Sequence, residues 1–113
     1  MTDIRAQLRF LPLSAQKVRL VVDLVRGKSA NEALELLRFA NKRAAEPVHK
    51  LVASAVANAE ENFGVSRDDL YVASIFADEA PTRKWRRFGA RGRFKPILRR
   101  TSHVTVILRE RGA

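Results

Sequence analysis

The sequence of 113 residues contains no cysteine, which excludes a disulfide framework and a thiolate metal site. Its two histidines, His49 and His103, are far apart in the chain, so no histidine cluster indicates a metal site. The first ten residues contain no long apolar run. We therefore expect neither a secretory signal peptide nor a transmembrane helix, and the cytoplasm is the default location.

The residue patterns that mark an enzyme are missing as well. Ser102 and His103 are neighbours in a segment with the alternation of a strand, where adjacent side chains point to opposite faces and make a poor nucleophile and base. The glycine-containing segment GARG, residues 89–92, is too short for a nucleotide-binding loop, and no strand-to-helix context follows it. The sequence therefore predicts a protein without enzymatic activity, metal or cofactor.

Acidic residues are absent from one stretch of the chain, residues 81–100, which we call the basic arm. The basic arm holds nine of the 22 lysines and arginines and none of the 12 acidic residues. The rest of the chain has 13 basic and 12 acidic residues, so the arm carries +9 of the formal net charge of +10. A nearly neutral body with one concentrated positive segment indicates a polyanionic partner.

Three segments outside the arm have the period of β-strands: residues 4–10, 70–80 and 101–110. The apolar residues expected on the buried face of the first and last of these segments are Ile4, Ala6, Leu8, Phe10, Val104, Val106 and Leu108. The last two strands flank the basic arm, so they predict a long β-hairpin with the arm at its end. The first strand could then complete a three-stranded antiparallel sheet.

Three other segments have the apolar spacing of helices. The first begins after Ser14 as N-cap and stops at Gly27. The second begins at Ser29, which forms a capping box with Glu32. The third runs from about Lys42 to Asn62, beginning at or kinking near Pro47 and ending at Gly64. The apolar stripes of the three helices are Val18, Val21, Val22 and Val25; Ala30, Ala33, Leu34 and Leu37; and Val48, Leu51, Val52, Ala55, Val56 and Ala59.

These elements predict an α+β fold of one domain, in which three helices pack on a small antiparallel three-stranded sheet with a long protruding β-hairpin. The globular body comprises residues 1–80 and 101–113, and the basic arm comprises about residues 81–100. Strands paired from residue 70 to the turn would reach roughly 55 to 60 Å, at ~3.4 Å per residue. A compact domain of this length is only about 35 Å across, so the arm must project.

The projecting arm is best suited to nucleic acid. Nine cations are too costly to bury without partners, and phosphates would supply the counter-charge. The aromatic residues Trp85 and Phe88 could stack on unpaired bases, which favours RNA over duplex DNA. An anionic membrane surface is the alternative for the charge, but the arm has no amphipathic helical stripe, and Pro81 and Pro96 oppose helix formation.

Four segments, in this order, resemble one family of proteins. SAQKVRLVVDLVRGK at 14–28 and SAVANAEEN at 54–62 are similar to motifs of its first and third helices. IFADEAPTRK at 75–84 is similar to the approach to its hairpin, and ARGRFKPILRRTSHVTV at 90–106 to the return strand. The family is that of bacterial large-subunit ribosomal protein number twenty-two, and the resemblance covers nearly the whole chain. The chain departs from the family pattern at Gly89, where a basic residue is typical.

The resemblance implies a structural constituent of the large ribosomal subunit, without a cofactor. Such a protein binds large-subunit ribosomal RNA early in assembly, and its hairpin lines the nascent-peptide exit tunnel. The implied partners are ribosomal RNA, neighbouring ribosomal proteins and the nascent peptide, with an indirect influence on macrolide antibiotics. The sequence indicates neither a membrane partner nor a homo-oligomer.

The resemblance and the charge pattern together suggest which residues do this. Those expected to contact ribosomal RNA are Lys17, Arg19, Lys28, Arg83, Lys84, Trp85, Arg93, Lys95, Arg99 and Arg100. Those expected at the tunnel-facing tip are Arg86, Arg87, Phe88, Gly89, Ala90 and Arg91. For Lys17, Arg19 and Lys28 the alternative is an ordinary solvated helix face, and for Asn58 a bond to RNA and a packing contact both stay open.

Two other classes of function share the charge pattern. A free-standing nucleic-acid chaperone would bind many RNAs with comparable affinity and would leave ribosomes in a salt wash. A module that binds acidic proteins would show no dependence on RNA.

Overall fold

The computed structural model describes residues 3–81, 83–88 and 94–111, with the backbone alone considered in 83–88 and 94–99. The described residues form three helices and five strands, and a short 3-10 turn at Arg67–Asp69. The helices are α1 (Ala15–Val25), α2 (Ala30–Phe39) and α3 (Ala45–Phe63). The strands are β1 (Ile4–Leu11), β2 (Leu70–Glu79), β3 (Arg83–Phe88), β4 (Phe94–Arg99) and β5 (Ser102–Glu110). This architecture confirms the predicted α+β fold.

The body is built on an antiparallel sheet in the order β1-β5-β2, so the last strand is the central one. Leu108 of β5 lies opposite Ile4 of β1 and Val72 of β2. Val104, Val106 and Leu108 are fully buried and belong to one core cluster with the apolar stripes of the helices. The predicted faces of β5 and of all three helices are therefore confirmed, with Leu34 packed against the cluster from its edge.

Local signals set the helix ends as expected. The Ser14 hydroxyl accepts from the Lys17 N–H at 3.5 Å, and the Ser29 hydroxyl accepts from the Glu32 N–H at 3.2 Å. Gly64 ends α3 in the left-handed region, at φ 65°, where a residue without Cβ is favoured.

The third helix begins later than predicted, at Ala45 instead of Lys42. Residues 43 and 44 form a turn in which the Ala45 N–H donates to the Lys42 carbonyl at 3.1 Å. Pro47 then falls in the first turn of α3, where its missing N–H costs no intrahelical hydrogen bond.

The end of β1 differs from the predicted alternation, and the expectation that Phe10 is buried is wrong. The pairing of β1 with β5 shifts between Leu8 and Leu11, so that Leu11 becomes buried and Phe10 is 55% exposed. Phe10 adopts φ 55°, its N–H donates to His103 Nδ1 at 3.0 Å, and the two rings meet edge to face at 4.7 Å. The bulge reverses the faces because one residue is left outside the ladder.

The hairpin continues from the body into the basic arm. Glu79 lies opposite Ser102 at the end of the three-stranded sheet, and Arg83 opposite Arg99 at the start of the β3–β4 pair. Between them the Ala80 N–H donates to the Thr101 carbonyl at 3.0 Å. The molecule measures 67 × 25 × 18 Å, and its radius of gyration of 17.2 Å exceeds the roughly 13 Å of a compact chain of this length. This elongated shape agrees with a protruding hairpin.

Candidate nucleic-acid interface

The register of the arm brings like charges opposite one another. Arg83 pairs with Arg99, and Arg87 pairs with Lys95. Residues directly opposite in an antiparallel pair are close neighbours, and like charges there are destabilising. Because the arm contains no acidic residue, its own sequence offers no counter-charge for these pairs. The arrangement therefore suits two strands that pair with each other while they are in contact with a polyanion.

The predicted arm residues are divided between described and undescribed parts of the chain. Those on β3 are Arg83, Lys84, Trp85, Arg86, Arg87 and Phe88; Lys95 and Arg99 are on β4, and Arg100 follows it and is exposed. Trp85 lies opposite Ile97, and Phe88 opposite Phe94. The remaining arm residues, Gly89, Ala90, Arg91 and Arg93, lie outside the described residues.

The residues of the body that are predicted to contact RNA differ in whether their side chains already make hydrogen bonds within the fold. Lys17 is exposed on α1, and Lys28 is exposed in the turn between α1 and α2, where its carbonyl accepts from the Val72 N–H at 2.8 Å. Arg19 Nε and Nη2 both donate to the Ala77 carbonyl of β2, at 3.2 and 3.1 Å. A guanidinium has five N–H donors, so these bonds fix the position of Arg19 and leave donors for a further ligand.

Arg26 has a similar position, which the sequence reasoning missed. Its Nε and Nη2 donate to the Ile75 carbonyl at 3.3 and 2.8 Å, and its Nη1 meets Asp23 Oδ1 at 2.6 Å. The available signal was the spacing of Arg19 and Arg26, because residues seven apart lie on the same side of a helix. Both arginines therefore have a structural contact with the edge strand β2.

Histidine and hydroxyl groups at the base of the hairpin form no reactive arrangement. His103 Nδ1 is engaged by the Phe10 N–H, and the Ser102 hydroxyl is buried without a hydrogen-bond partner. Asn58, whose role the sequence left open, accepts a hydrogen bond from Asn62 one turn further along α3. Within the described ranges, no group of three or more histidine, aspartate or glutamate side chains could hold a metal ion.

Helices in the described part of the chain are all too short or too polar to cross a membrane.

In a comparison with known protein families, residues 6–109 match the family described as ribosomal protein L22p/L17e. The match extends from β1 to β5 and includes the arm. The proteins of this family are structural components, not enzymes, of the large ribosomal subunit in the cytoplasm. The resemblance drawn from the four sequence motifs and the predicted location are thereby confirmed: the chain belongs to the ribosomal protein L22p/L17e family.

Proposed function

We propose that this chain binds large-subunit ribosomal RNA chiefly through its basic arm, and that the tip of the arm lines the nascent-peptide exit tunnel. The observation that carries the proposal is the register of β3 and β4, which sets Arg83 against Arg99 and Arg87 against Lys95 in a segment of charge +9. Like charges directly opposite one another on paired strands are destabilising. A two-stranded hairpin is itself marginally stable in water.

The phosphates of RNA would offset the repulsion between the cations of the arm. RNA that flanks the hairpin supplies the missing counter-charges, and the release of its condensed counterions drives association. Trp85 and Phe88 add surfaces on which unpaired bases stack. Arg83, Lys84, Arg93, Lys95, Arg99 and Arg100 are the proposed phosphate contacts, and Lys17, Arg19 and Lys28 contact RNA from the body.

The shape supports a place inside the subunit. Six paired residues on each strand span roughly 20 Å, and the hairpin is only two strands wide. An element this narrow fits between RNA helices, and it enters most easily before they close around it, which favours binding early in assembly. By resemblance to the family, residues 86–91 then face the tunnel. They meet the nascent peptide and neighbouring ribosomal proteins there, and influence macrolide binding indirectly.

The body, residues 1–80 and 101–113, is proposed to fold without the arm. The core cluster consists of residues between Ile4 and Ala77 and between Val104 and Leu108. The Ala80–Thr101 hydrogen bond marks a point where the hairpin can be closed by a two-residue turn. Replacing residues 81–100 with Asn-Gly would thus remove all nine arm cations and keep the body.

The test compares this replacement with the full chain in binding to protein-free large-subunit ribosomal RNA over a range of salt concentrations. If the arm neutralises about six phosphates, its loss flattens the log–log salt dependence by roughly four to five units. A second variant, in which Arg83, Lys84, Lys95 and Arg99 become Gln, keeps the length of the arm, removes four of the proposed phosphate contacts and should flatten it by roughly three to four. An unchanged slope in both variants, with the body still folded by circular dichroism, would show that the arm does not carry the binding.

Sedimentation distinguishes the proposed ribosomal protein from a free-standing nucleic-acid chaperone. After a high-salt wash, we expect the chain to stay in the large-subunit peak of a sucrose gradient, whereas a loosely bound chaperone would move to the top.

A further inference from the structure

A second basic surface lies on the body, on elements that the arm does not include. The end of α2 and the start of α3 enclose an open groove of about 490 Å³. Leu37 and Ala45, both buried, contribute its apolar floor, and Arg38, Lys42 and Lys50 contribute cations to its wall. We call this the α2–α3 groove.

The lining of the groove has more positive than negative charge, with three cations and one carboxylate. Glu46 is the acidic residue among those lining it, and its carboxylate lies 3.4 Å from Lys50 Nζ in an exposed ion pair. Exposed pairs of this kind contribute little to stability, so Lys50 remains available to a stronger anion. With the exposed Arg43 beside it, the turn from α2 to α3 is a cationic surface on a body that is otherwise nearly neutral.

An exposed aromatic ring lies next to Arg38, which lines the groove. Phe39, the last residue of α2, is 74% exposed, and the Arg38 guanidinium carbon lies 5.7 Å from the centre of its ring. The stacked cation and ring leave a large apolar face in water. A nucleic-acid base would cover it, because every base has a face that stacks on aromatic and guanidinium groups.

We propose that the α2–α3 groove is a second RNA-binding site, which takes a single-stranded segment of the ribosomal RNA. One unpaired base stacks on Phe39, and the phosphates beside it lie against Arg38, Lys42 and Lys50. A single strand is required because the bases of a duplex are already stacked on one another. The proposal rests on the proposed function, in that the chain must bind RNA, but it concerns helices instead of the arm.

The test measures binding of the full chain to protein-free large-subunit ribosomal RNA. In the groove variant, Arg38, Lys42 and Lys50 are changed to Gln. In the matched control, three exposed cations outside the groove and the arm, Arg5, Arg67 and Arg111, are changed to Gln. Both variants lose three charges. We expect the groove variant to flatten the salt dependence by roughly two units more than the control, at about 0.7 per phosphate of a single strand.

The aromatic contact is tested by Phe39→Ala, Phe39→Leu and Phe39→Trp. We expect Ala and Leu each to weaken binding at least about fivefold, the smaller end of what loss of one stacked base produces, and Trp to retain it. Chemical probing of the RNA should show one unpaired segment that is protected by the full chain and by the control variant, and is exposed with Phe39→Ala.

The outcomes distinguish failure of the groove proposal from failure of the proposed function. Equal slopes for groove and control variants, with the arm replacement still flattening the slope, would overturn the groove and leave the proposed function standing. Full RNA binding by Phe39→Leu would overturn it too, in favour of a protein partner, since an aliphatic side chain suffices for apolar packing. A full chain that binds RNA without salt dependence would instead refute the proposed function itself.

Discussion

Two arginines, one in α1 and one directly after it, cover one edge of the body's sheet. Among the residues that the structure describes, the edge strand β2 pairs in this sheet with β5 alone, and carbonyls left unpaired on the outer side of an edge strand invite association with other chains. Arg19 donates to the Ala77 carbonyl and Arg26 to the Ile75 carbonyl, while the Gly27 N–H donates to the Val72 carbonyl at 3.0 Å. The same residues thus hold α1 against the sheet and supply hydrogen-bond donors to three carbonyls at its edge.

We predict that Arg19→Met lowers the free energy of unfolding by about 1 kcal/mol. Hydrogen bonds from a charged donor contribute about 1.5–3 kcal/mol, and water replaces part of this at a half-exposed position. Met keeps the apolar stem, so the change isolates the loss of the guanidinium. The double variant with Arg26→Met should lose about 2 kcal/mol, if the two bonds act independently.

The measurement is urea unfolding followed by circular dichroism. With a slope of about 2 kcal/mol per molar urea, Arg19→Met should lower the midpoint by about 0.5 M. Lys17→Met, on the exposed side of the same helix, is the control and should stay within about 0.5 kcal/mol of the parent chain. If Arg19→Met and the control unfold at the same midpoint, the guanidinium does not stabilise the edge.

Arg19→Lys separates the structural role of this residue from the proposed contact with RNA. Lysine keeps the charge but lacks the forked donors that meet one carbonyl twice. A purely structural Arg19 would lose stability as Lys and keep the RNA affinity of its folded fraction. Loss of RNA affinity in folded Arg19→Lys, with an unchanged urea midpoint, would show instead that Arg19 contacts RNA and does not stabilise the fold.

Three further changes test the body. Ser29→Ala removes the N-cap of α2 and should cost about 1 kcal/mol in urea unfolding, whereas Ser54→Ala on the exposed face of α3 should cost nothing measurable. Leu108→Ala, at a fully buried position of the central strand, should cost about 2–5 kcal/mol by the same assay. The hydrogen bond from Arg109, 2.6 Å long, lowers the pKa of Asp3 from its ordinary 3.8. Its stabilisation is therefore present above about pH 4 and disappears as the pH falls through the lowered pKa, so melting temperatures of the parent chain and Asp3→Asn should converge in acid and diverge at neutral pH.

The helices could be predicted because their signals are local. Ser29 and Glu32 are three residues apart, and each valine of the α1 stripe lies within one turn of the next. Gly64 ends α3 through its own backbone conformation. Such features depend on neighbours in sequence, which are the same whichever elements the helix packs on.

The features that could not be predicted from the sequence depend on residues far away in the chain. Phe10 leaves the predicted face because the bulge is held by His103, which lies 93 residues later. Arg19 and Arg26 bond to carbonyls 58 and 49 residues away, and helical periodicity gives no information about the strand edge that the helix covers. The α2–α3 groove was missed for the same reason: Phe39 lies outside the apolar stripe of α2, and its setting depends on how two helix ends meet.

The use of positive charge differs between the body and the arm, and this difference predicts which part needs RNA. In the body, Arg26, Arg67 and Arg109 each lie within 2.8 Å of a carboxylate oxygen, so the fold itself supplies their counter-charge. In β3 and β4 the register instead sets Arg83 against Arg99, in a segment without any acid. We therefore expect RNA to increase the hydrogen-exchange protection of the paired strands of the arm more than that of the body's sheet. Strong protection of β3 and β4 in the RNA-free chain would contradict this division, because it would show that the hairpin overcomes its own repulsion.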